Sequence, residues 1–125
     1  TYINAPEILK PTLEAKNYPG LFFAGQLTGV EGYTESIATG LFAAINIKHL
    51  IKSEPLIVLD NKTVLGSLCH YITTAEKKYF QPMNANWGIM PPLETQKKIR
   101  DKKLRKQMYG QRALKHLDSL LSQCL

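Results

Sequence analysis

The chain has 125 residues, 44% hydrophobic, 9% aromatic and 21% charged, a composition that fits one folded core and excludes wholesale disorder. Its formal charge of +6 is uneven: residues 1–93 carry seven Lys/Arg against seven Asp/Glu, whereas residues 94–125 carry nine against three. The whole excess therefore lies in the C-terminal segment, where it favours a polyanion such as a nucleic-acid backbone. No apolar run nears the roughly 20 residues of a membrane helix, so no membrane partner is expected; the cytoplasmic location expected rests on the two cysteines, which read as reduced thiols. The opening Thr1-Tyr2-Ile3-Asn4-Ala5-Pro6 has neither an initiator Met nor a signal-peptide pattern, and reads as the continuation of a longer chain. Cys69 and Cys124 lack a CxxC and any His at ligand spacing. They read as reduced thiols, and no metal site is expected.

Pro6, Pro11 and Pro19, with Gly20 completing a Pro-Gly turn, make residues 1–20 an extended or looping approach. Leu21-Phe22-Phe23-Ala24 is a short apolar run of the kind buried on both faces in a parallel sheet. A glycine-rich loop, Gly25 to Gly32, leads into a helix predicted over Tyr33 to Ile51. Ile37, Leu41, Ile45 and Leu50 follow helical spacing as its candidate core face, while Ala38, Gly40, Ala43 and Ala44 let its backbone lie close to a sheet or ligand. Ser53-Glu54-Pro55 breaks it. A second helix is expected from Asp60 or Asn61, either of which can cap it, to Ile72. Gln81 to Pro92 has no helical period and is too apolar for a linker. It reads as an ordered loop with Trp87 in the core and the amides of Asn84 and Asn86 satisfying backbone groups, the competing reading being that these three residues touch a ligand or RNA.

Glu94 to Leu121 reads as one long helix, basic in its first half, with Gly110 as a kink point. Ala113, Leu114, Leu117, Leu120 and Leu121 form an apolar stripe in its second half. On such a helix Lys98, Lys102, Arg105 and Lys106 share a face, with Ile99 and Leu104 pointing inward. That face is the candidate nucleic-acid contact, and the competing reading is a solvated helix face. His49, His70 and His116 fall on predicted helices without a visible acid–base partner and are structural by default.

A buried strand ending in glycine and feeding a helix N-terminus is a general device for binding anions and ligand carbonyls. Glycines admit close backbone approach, and the helix's first N–H groups and positive dipole end face the ligand. The loop is not G-x-G-x-x-G, and one strand cannot make a doubly wound sheet, so an α/β fold here is incomplete on its own.

The words of the loop go further. Leu21-Phe22-Phe23-Ala24-Gly25-Gln26-Leu27-Thr28-Gly29-Val30-Glu31-Gly32-Tyr33-Thr34-Glu35-Ser36 resembles the last FAD-binding motif of the folate- and flavin-dependent tRNA (uracil-5-)-methyltransferases, the TrmFO family. Phe80-Gln81-Pro82-Met83-Asn84-Ala85-Asn86-Trp87-Gly88-Ile89-Met90-Pro91-Pro92-Leu93 is similar to a second stretch of those enzymes. The related GidA-like proteins, which modify the wobble uridine, carry a comparable glycine loop but continue into a larger helical region.

The resemblance implies the C-terminal portion of a Rossmann-like FAD-binding domain over residues 1–52. A helix and ordered loop packed on it would occupy 53–93, and a basic C-terminal helix 94–125. It implies FAD as cofactor, methylenetetrahydrofolate and NAD(P)H as substrates, and tRNA and the N-terminal rest of the flavoprotein as partners. The family's GxGxxG and catalytic cysteines would lie in that N-terminal portion, so Cys69 and Cys124 take no chemistry. Gly25, Gln26, Gly29, Gly32, Tyr33, Thr34 and Glu35 are the implied cofactor contacts, with Gly25-Gln26 standing where related flavoproteins have Gly-Asp. Tyr33 is the candidate catalytic residue, through its ring by the flavin or folate or its hydroxyl on the uracil. Glu35 reads equally as a cofactor contact or as a first-turn acid complementing the dipole. The alternative function is a non-catalytic basic RNA- or protein-interaction module descended from such an enzyme, or a GidA-like protein.

Overall fold

The computed structural model describes residues 1–95 and 97–124, without the side chains of Gln123 and Cys124. Its helices are α1 (Ala5–Ile8), α2 (Tyr33–Ile51), α3 (Val64–Thr74) and α4 (Lys102–Cys124), with 3-10 turns at Gly25–Thr28 and Trp87–Ile89. One core joins Ala5, Leu9 and Leu13 to Val30, to Phe42 and Ala43 of α2, to Leu68, Cys69 and Ile72 of α3, and to Phe80. Pro6 favours the start of α1, because the first helical N–H groups have no intrahelical acceptor to lose.

Leu21 to Ala24 does not form the expected strand, and among the described residues the sheet of an α/β fold is not seen. Phe22 pairs with Glu14 in a single antiparallel bridge, and Val30 pairs with Met83 in a single parallel one. The Phe23 N–H donates to the Leu13 carbonyl at 3.1 Å and the Ala15 N–H to the Leu21 carbonyl at 2.8 Å. An apolar run becomes a strand only where neighbours supply a ladder, and here the neighbour is a turn.

The second and last helices start later than periodicity implies, each because of one oxygen. Thr63, not Asp60 or Asn61, caps α3: its Oγ1 accepts from the Gly66 N–H at 2.9 Å and donates to the Asp60 carbonyl. Asp60 instead shapes the preceding turn by accepting from the Lys62 N–H at 2.8 Å. Gly66 is required there, because a Cβ would stand 1.8 Å from the Asp60 carbonyl oxygen. Asp101 Oδ1 accepts from the N–H groups of Lys103 and Leu104 at 3.0 and 3.3 Å, so α4 begins at Lys102 rather than near Glu94. The helix then runs unbroken through Gly110.

The face of α2 that meets the core is the polar one. Thr39, Asn46 and His49 are buried beside Phe42 and Ala43, while the expected core positions Ile37, Leu41, Ile45 and Leu50 are exposed. The reason is backbone satisfaction. Asn46 Nδ2 donates to the Thr12 and Ile57 carbonyls at 3.1 and 3.0 Å, and its Oδ1 accepts from the Ile57 N–H at 2.7 Å. Loops packed against a helix bring carbonyls that must be paired, and an amide pairs them where a leucine cannot. His49 Nδ1 lies 3.0 Å from the Pro55 carbonyl, which only accepts, so Nδ1 carries the proton; Glu54 Oε2 stands 3.5 Å away.

Helix α4 rests on the body through polar and aromatic groups. Arg112 donates to the Pro92 and Pro91 carbonyls at 3.0 and 2.7 Å, and its guanidinium lies 5.1 Å from the Tyr109 ring. The Tyr109 ring is 5.3 Å from that of Trp87, which is half-exposed rather than in the core. His116 Nδ1 meets Asp60 Oδ2 at 3.3 Å, so two of the three histidines do have an acid beside them. Leu104, expected to point inward, is exposed, and in the apolar stripe Leu114, Leu117 and Leu121 are exposed while Ala113 and Leu120 are half-buried.

Candidate functional site

Three glycines set the shape of the loop before α2. Gly25, Gly29 and Gly32 have φ of 72°, 87° and 105°, the left-handed region that side-chain-bearing residues rarely adopt. Gly29 also needs the space: a Cβ there would stand 2.6 Å from Phe80 Cζ. The loop is held from two sides. Thr39 Oγ1, from inside α2, accepts from the Gly25 N–H at 2.9 Å, while Thr28 Oγ1 donates to the Gly25 carbonyl at 2.7 Å. From the other side, the Met83 N–H donates to the Gly29 carbonyl at 2.8 Å and the Glu31 N–H to the Met83 carbonyl at 2.9 Å. The two stretches singled out by sequence, 21–36 and 80–93, are thus hydrogen-bonded to each other.

This clamp presents the N-terminus of a 19-residue helix without a cap. Gly32 is the N-cap and provides no side chain, so the first N–H groups of α2, at Tyr33 and Thr34, have neither an intrahelical nor a side-chain acceptor among the described residues. Glu35 folds back over Gly32, its Oε2 2.0 Å from where a Cβ on Gly32 would sit, and its Oε1 accepts a long bond from the Ala85 N–H at 3.4 Å. Tyr33 is 91% exposed and packs on nothing. Gln26 and Thr34 are exposed as well. Gly25 packs near Ser36 in the first turn of α2, and Gln26, Tyr33 and Thr34 are exposed around Gly32 with the Glu35 carboxylate folded over it, whereas Gly29 is buried beneath Phe80.

The basic candidates divide. Lys102, Arg105 and Lys106 lie in the first turns of α4, but Lys98 precedes the helix and shares no helical face with them. Asp101 is what separates them, because it caps α4. Thr39 was not singled out by sequence, and Phe80 and Met83 only as members of the 80–93 stretch, although each holds the glycine loop. The available signal was one polar residue, Thr39, between Ala38 and Gly40 on an otherwise small-residue face.

Residues 1–55 match the family model described as glucose inhibited division protein A. Over 114 residues, 91% of this chain, the sequence is 55% identical to the methylenetetrahydrofolate–tRNA-(uracil-5-)-methyltransferase TrmFO of an Exiguobacterium species, 26% of whose length is covered. The TrmFO of Halalkalibacterium halodurans is 51% identical over 97% of the chain and 27% of its own length, and that of Bacillus subtilis 49% over 96% and 27%. This chain is a segment of the TrmFO family. It spans about a quarter of the length of those curated relatives. The 121-residue match necessarily runs through α2, α3 and most of α4, so the TrmFO likeness includes the basic helix as well as the glycine loop.

Within this TrmFO segment the buried thiol is inert. Burial without a compensating charge pushes Cys69 up to about 12, so it stays protonated at neutral pH. Among the described residues no cluster of His, Cys, Asp and Glu could hold a metal, and no helix is long and apolar enough to cross a membrane.

Proposed function

We propose that the segment belongs to a methylenetetrahydrofolate- and FAD-dependent tRNA (uracil-5-)-methyltransferase, in which it closes one side of the FAD pocket and contacts tRNA through residues 94–125. Residues 1–52 complete a Rossmann-like FAD-binding domain whose sheet comes from elsewhere in the protein. Residues 53–93 pack on that domain, and 94–125 form the basic arm. The observation that carries the reading is the open N-terminus of α2, bordered by three left-handed glycines and an unpacked Tyr33.

These residues fit a flavin. A helix N-terminus with unpaired N–H groups suits carbonyls and negative charge on a ring edge, and glycines leave no Cβ in the way. Bound FAD supplies the redox chemistry that lets a one-carbon unit from methylenetetrahydrofolate, with electrons from NAD(P)H, reach C5 of a uridine in the tRNA T-loop. The chain's own residues bind and orient. Gly25 and Gln26 would hold the ribityl-phosphate part of FAD, Gln26 keeping a hydrogen-bonding group without a charge. The N–H groups of Gly32, Tyr33 and Thr34 would hold polar atoms of the flavin, where the dipole of α2 favours negative charge. Glu35 would be a further contact. Tyr33 offers its ring for stacking and its hydroxyl for a hydrogen bond to the uracil.

Two measurements on the full-length enzyme test this. Its visible spectrum should show flavin bands; protein that stays colourless after incubation with FAD contradicts the reading and favours a non-catalytic module. Tyr33→Phe should retain FAD and slow methyl transfer at least ten-fold, about 1.4 kcal/mol of barrier. Turnover equal to the unaltered enzyme removes the hydroxyl from the chemistry.

A further inference from the structure

We infer that Trp87, Tyr109 and Arg112 form a stacking site for an unpaired base of the RNA substrate, beside phosphate contacts made by the first turns of α4. The inference rests on the tRNA reading above and names a site within it.

The only tryptophan of the chain is 50% exposed although a core is available nearby. It is not exposed by looseness. Asn86 Oδ1 accepts from the Gly88 N–H at 2.8 Å, Asn86 Nδ2 donates to the Asn84 carbonyl at 3.0 Å, and the Met90 N–H closes on the Trp87 carbonyl at 3.3 Å. An indole carried on an ordered turn at a surface has few torsions to fix on binding, which is why Trp and Tyr mark interfaces.

The ladder continues from Trp87 to Tyr109 at 5.3 Å with planes inclined by 45°, and from Tyr109 to the Arg112 guanidinium at 5.1 Å. Arg112 is itself fixed by the Pro91 and Pro92 carbonyls, so the row of π faces and cation is built before any ligand arrives. Lys106 and Arg105 lie one helical turn before Tyr109, and Lys102 two turns before it. Aromatic faces interleaved with cations suit single-stranded nucleic acid: bases stack on the rings and phosphates pair with Lys and Arg. A paired helix offers no free base face, so the ligand is a base in a loop or at an end.

The test uses the full-length enzyme and a tRNA transcript, with affinity measured across salt. Stacking displaces no counterion, whereas each phosphate contact does. Trp87→Leu keeps an apolar group against Tyr109 but removes the π face. It should weaken binding roughly ten-fold at every salt concentration, with the slope of log affinity against log salt unchanged. Trp87→Phe should restore most of the loss, and Tyr109→Leu reads the same site independently from α4. Lys102→Ala/Lys106→Ala should instead shrink the slope. A Trp87→Leu variant whose slope shrinks like that of the lysine pair would show Trp87 merely docking α4, and would overturn the stacking site. Unchanged affinity in both leucine variants would overturn it too. Failure of the unaltered enzyme to bind tRNA would overturn the tRNA reading and the site together.

Discussion

Helices α2 and α4 are the two long helices of the described chain, with 19 and 23 residues, and they are attached by different means. Helix α2 turns Thr39, Asn46 and His49 into the core and leaves Ile37 and Ile51 73% and 78% exposed. Its attachment is deep: Asn46 alone makes three hydrogen bonds to two separate loops. Helix α4 touches the body through Arg112, Tyr109 and His116 at its surface and leaves Leu114, Leu117 and Leu121 exposed. An apolar cleft of about 550 Å³ lies between them, lined by Leu41, Ile45, Leu117 and Leu121 among others. Apolar surface of this kind marks interaction sites, which accords with a chain spanning a quarter of its relatives. Helix α2 is a fixed wall presenting its N-terminus, while α4 is an arm on a few polar hooks.

The largest predicted effect breaks the wall. Asn46→Leu leaves the Ile57 N–H and the Thr12 and Ile57 carbonyls without their partner, and should destabilise the full-length protein by roughly 3–5 kcal/mol in urea denaturation. A loss below about 1 kcal/mol would mean that the loops re-pair with water and that α2 is less fixed than the contacts imply. The arm should respond more weakly and locally. Arg112→Ala removes one exposed and one part-buried hydrogen bond and should cost about 1 kcal/mol, read as faster hydrogen exchange in 102–124 with α2 unchanged. Equal acceleration in α2 would show the two helices to be one cooperative unit.

The smallest effect concerns the turn under α2. Glu14 is held below the usual carboxylate range, mainly because it accepts from the Gly20 N–H at 3.0 Å and secondarily through Lys10 at 3.2 Å, against the cost of burial. A depressed folded value stabilises above the unfolded one, about 4.5, and that stabilisation is lost as pH falls through the folded value. The stability gap between the unaltered protein and Glu14→Gln should therefore be full near neutrality and close below pH 4.5. A gap that persists in acid would assign it to packing.

Much of this was legible in the sequence. Helix α2 starts at Tyr33 and stops at Ile51 as expected, because a glycine loop and Ser53-Glu54-Pro55 punctuate it on either side. Which face it buries was not legible. Periodicity assigns an apolar stripe to the nearest core, but the neighbours of α2 are loops with carbonyls to satisfy, and its apolar stripe is left facing out. The start of α4 was visible in Asp101 but hidden by the charge run around it: a single carboxylate that caps two N–H groups outweighs a favourable period. Leu21 to Ala24 reads as a strand because strand propensity is local, whereas a strand also needs neighbours. Trp87 reads as core because tryptophans usually are; its exposure depends on Asn86 and Tyr109, which no window of sequence brings together.

If the N-terminal end of α2 is a wall of the FAD pocket as proposed, Gly32→Val in the full-length enzyme should empty that pocket. A valine there must adopt φ near 105° and displace the Glu35 carboxylate, a local strain of roughly 1–3 kcal/mol at the mouth of the helix, far from the Asn46 contacts that fix it. The measurement is the ratio of released flavin absorbance to protein, with circular dichroism confirming the fold. The expected result is protein that is folded but purifies with little FAD and is not refilled by added FAD. Stoichiometric FAD in the folded Val variant would contradict the assignment and place the flavin away from this helix end.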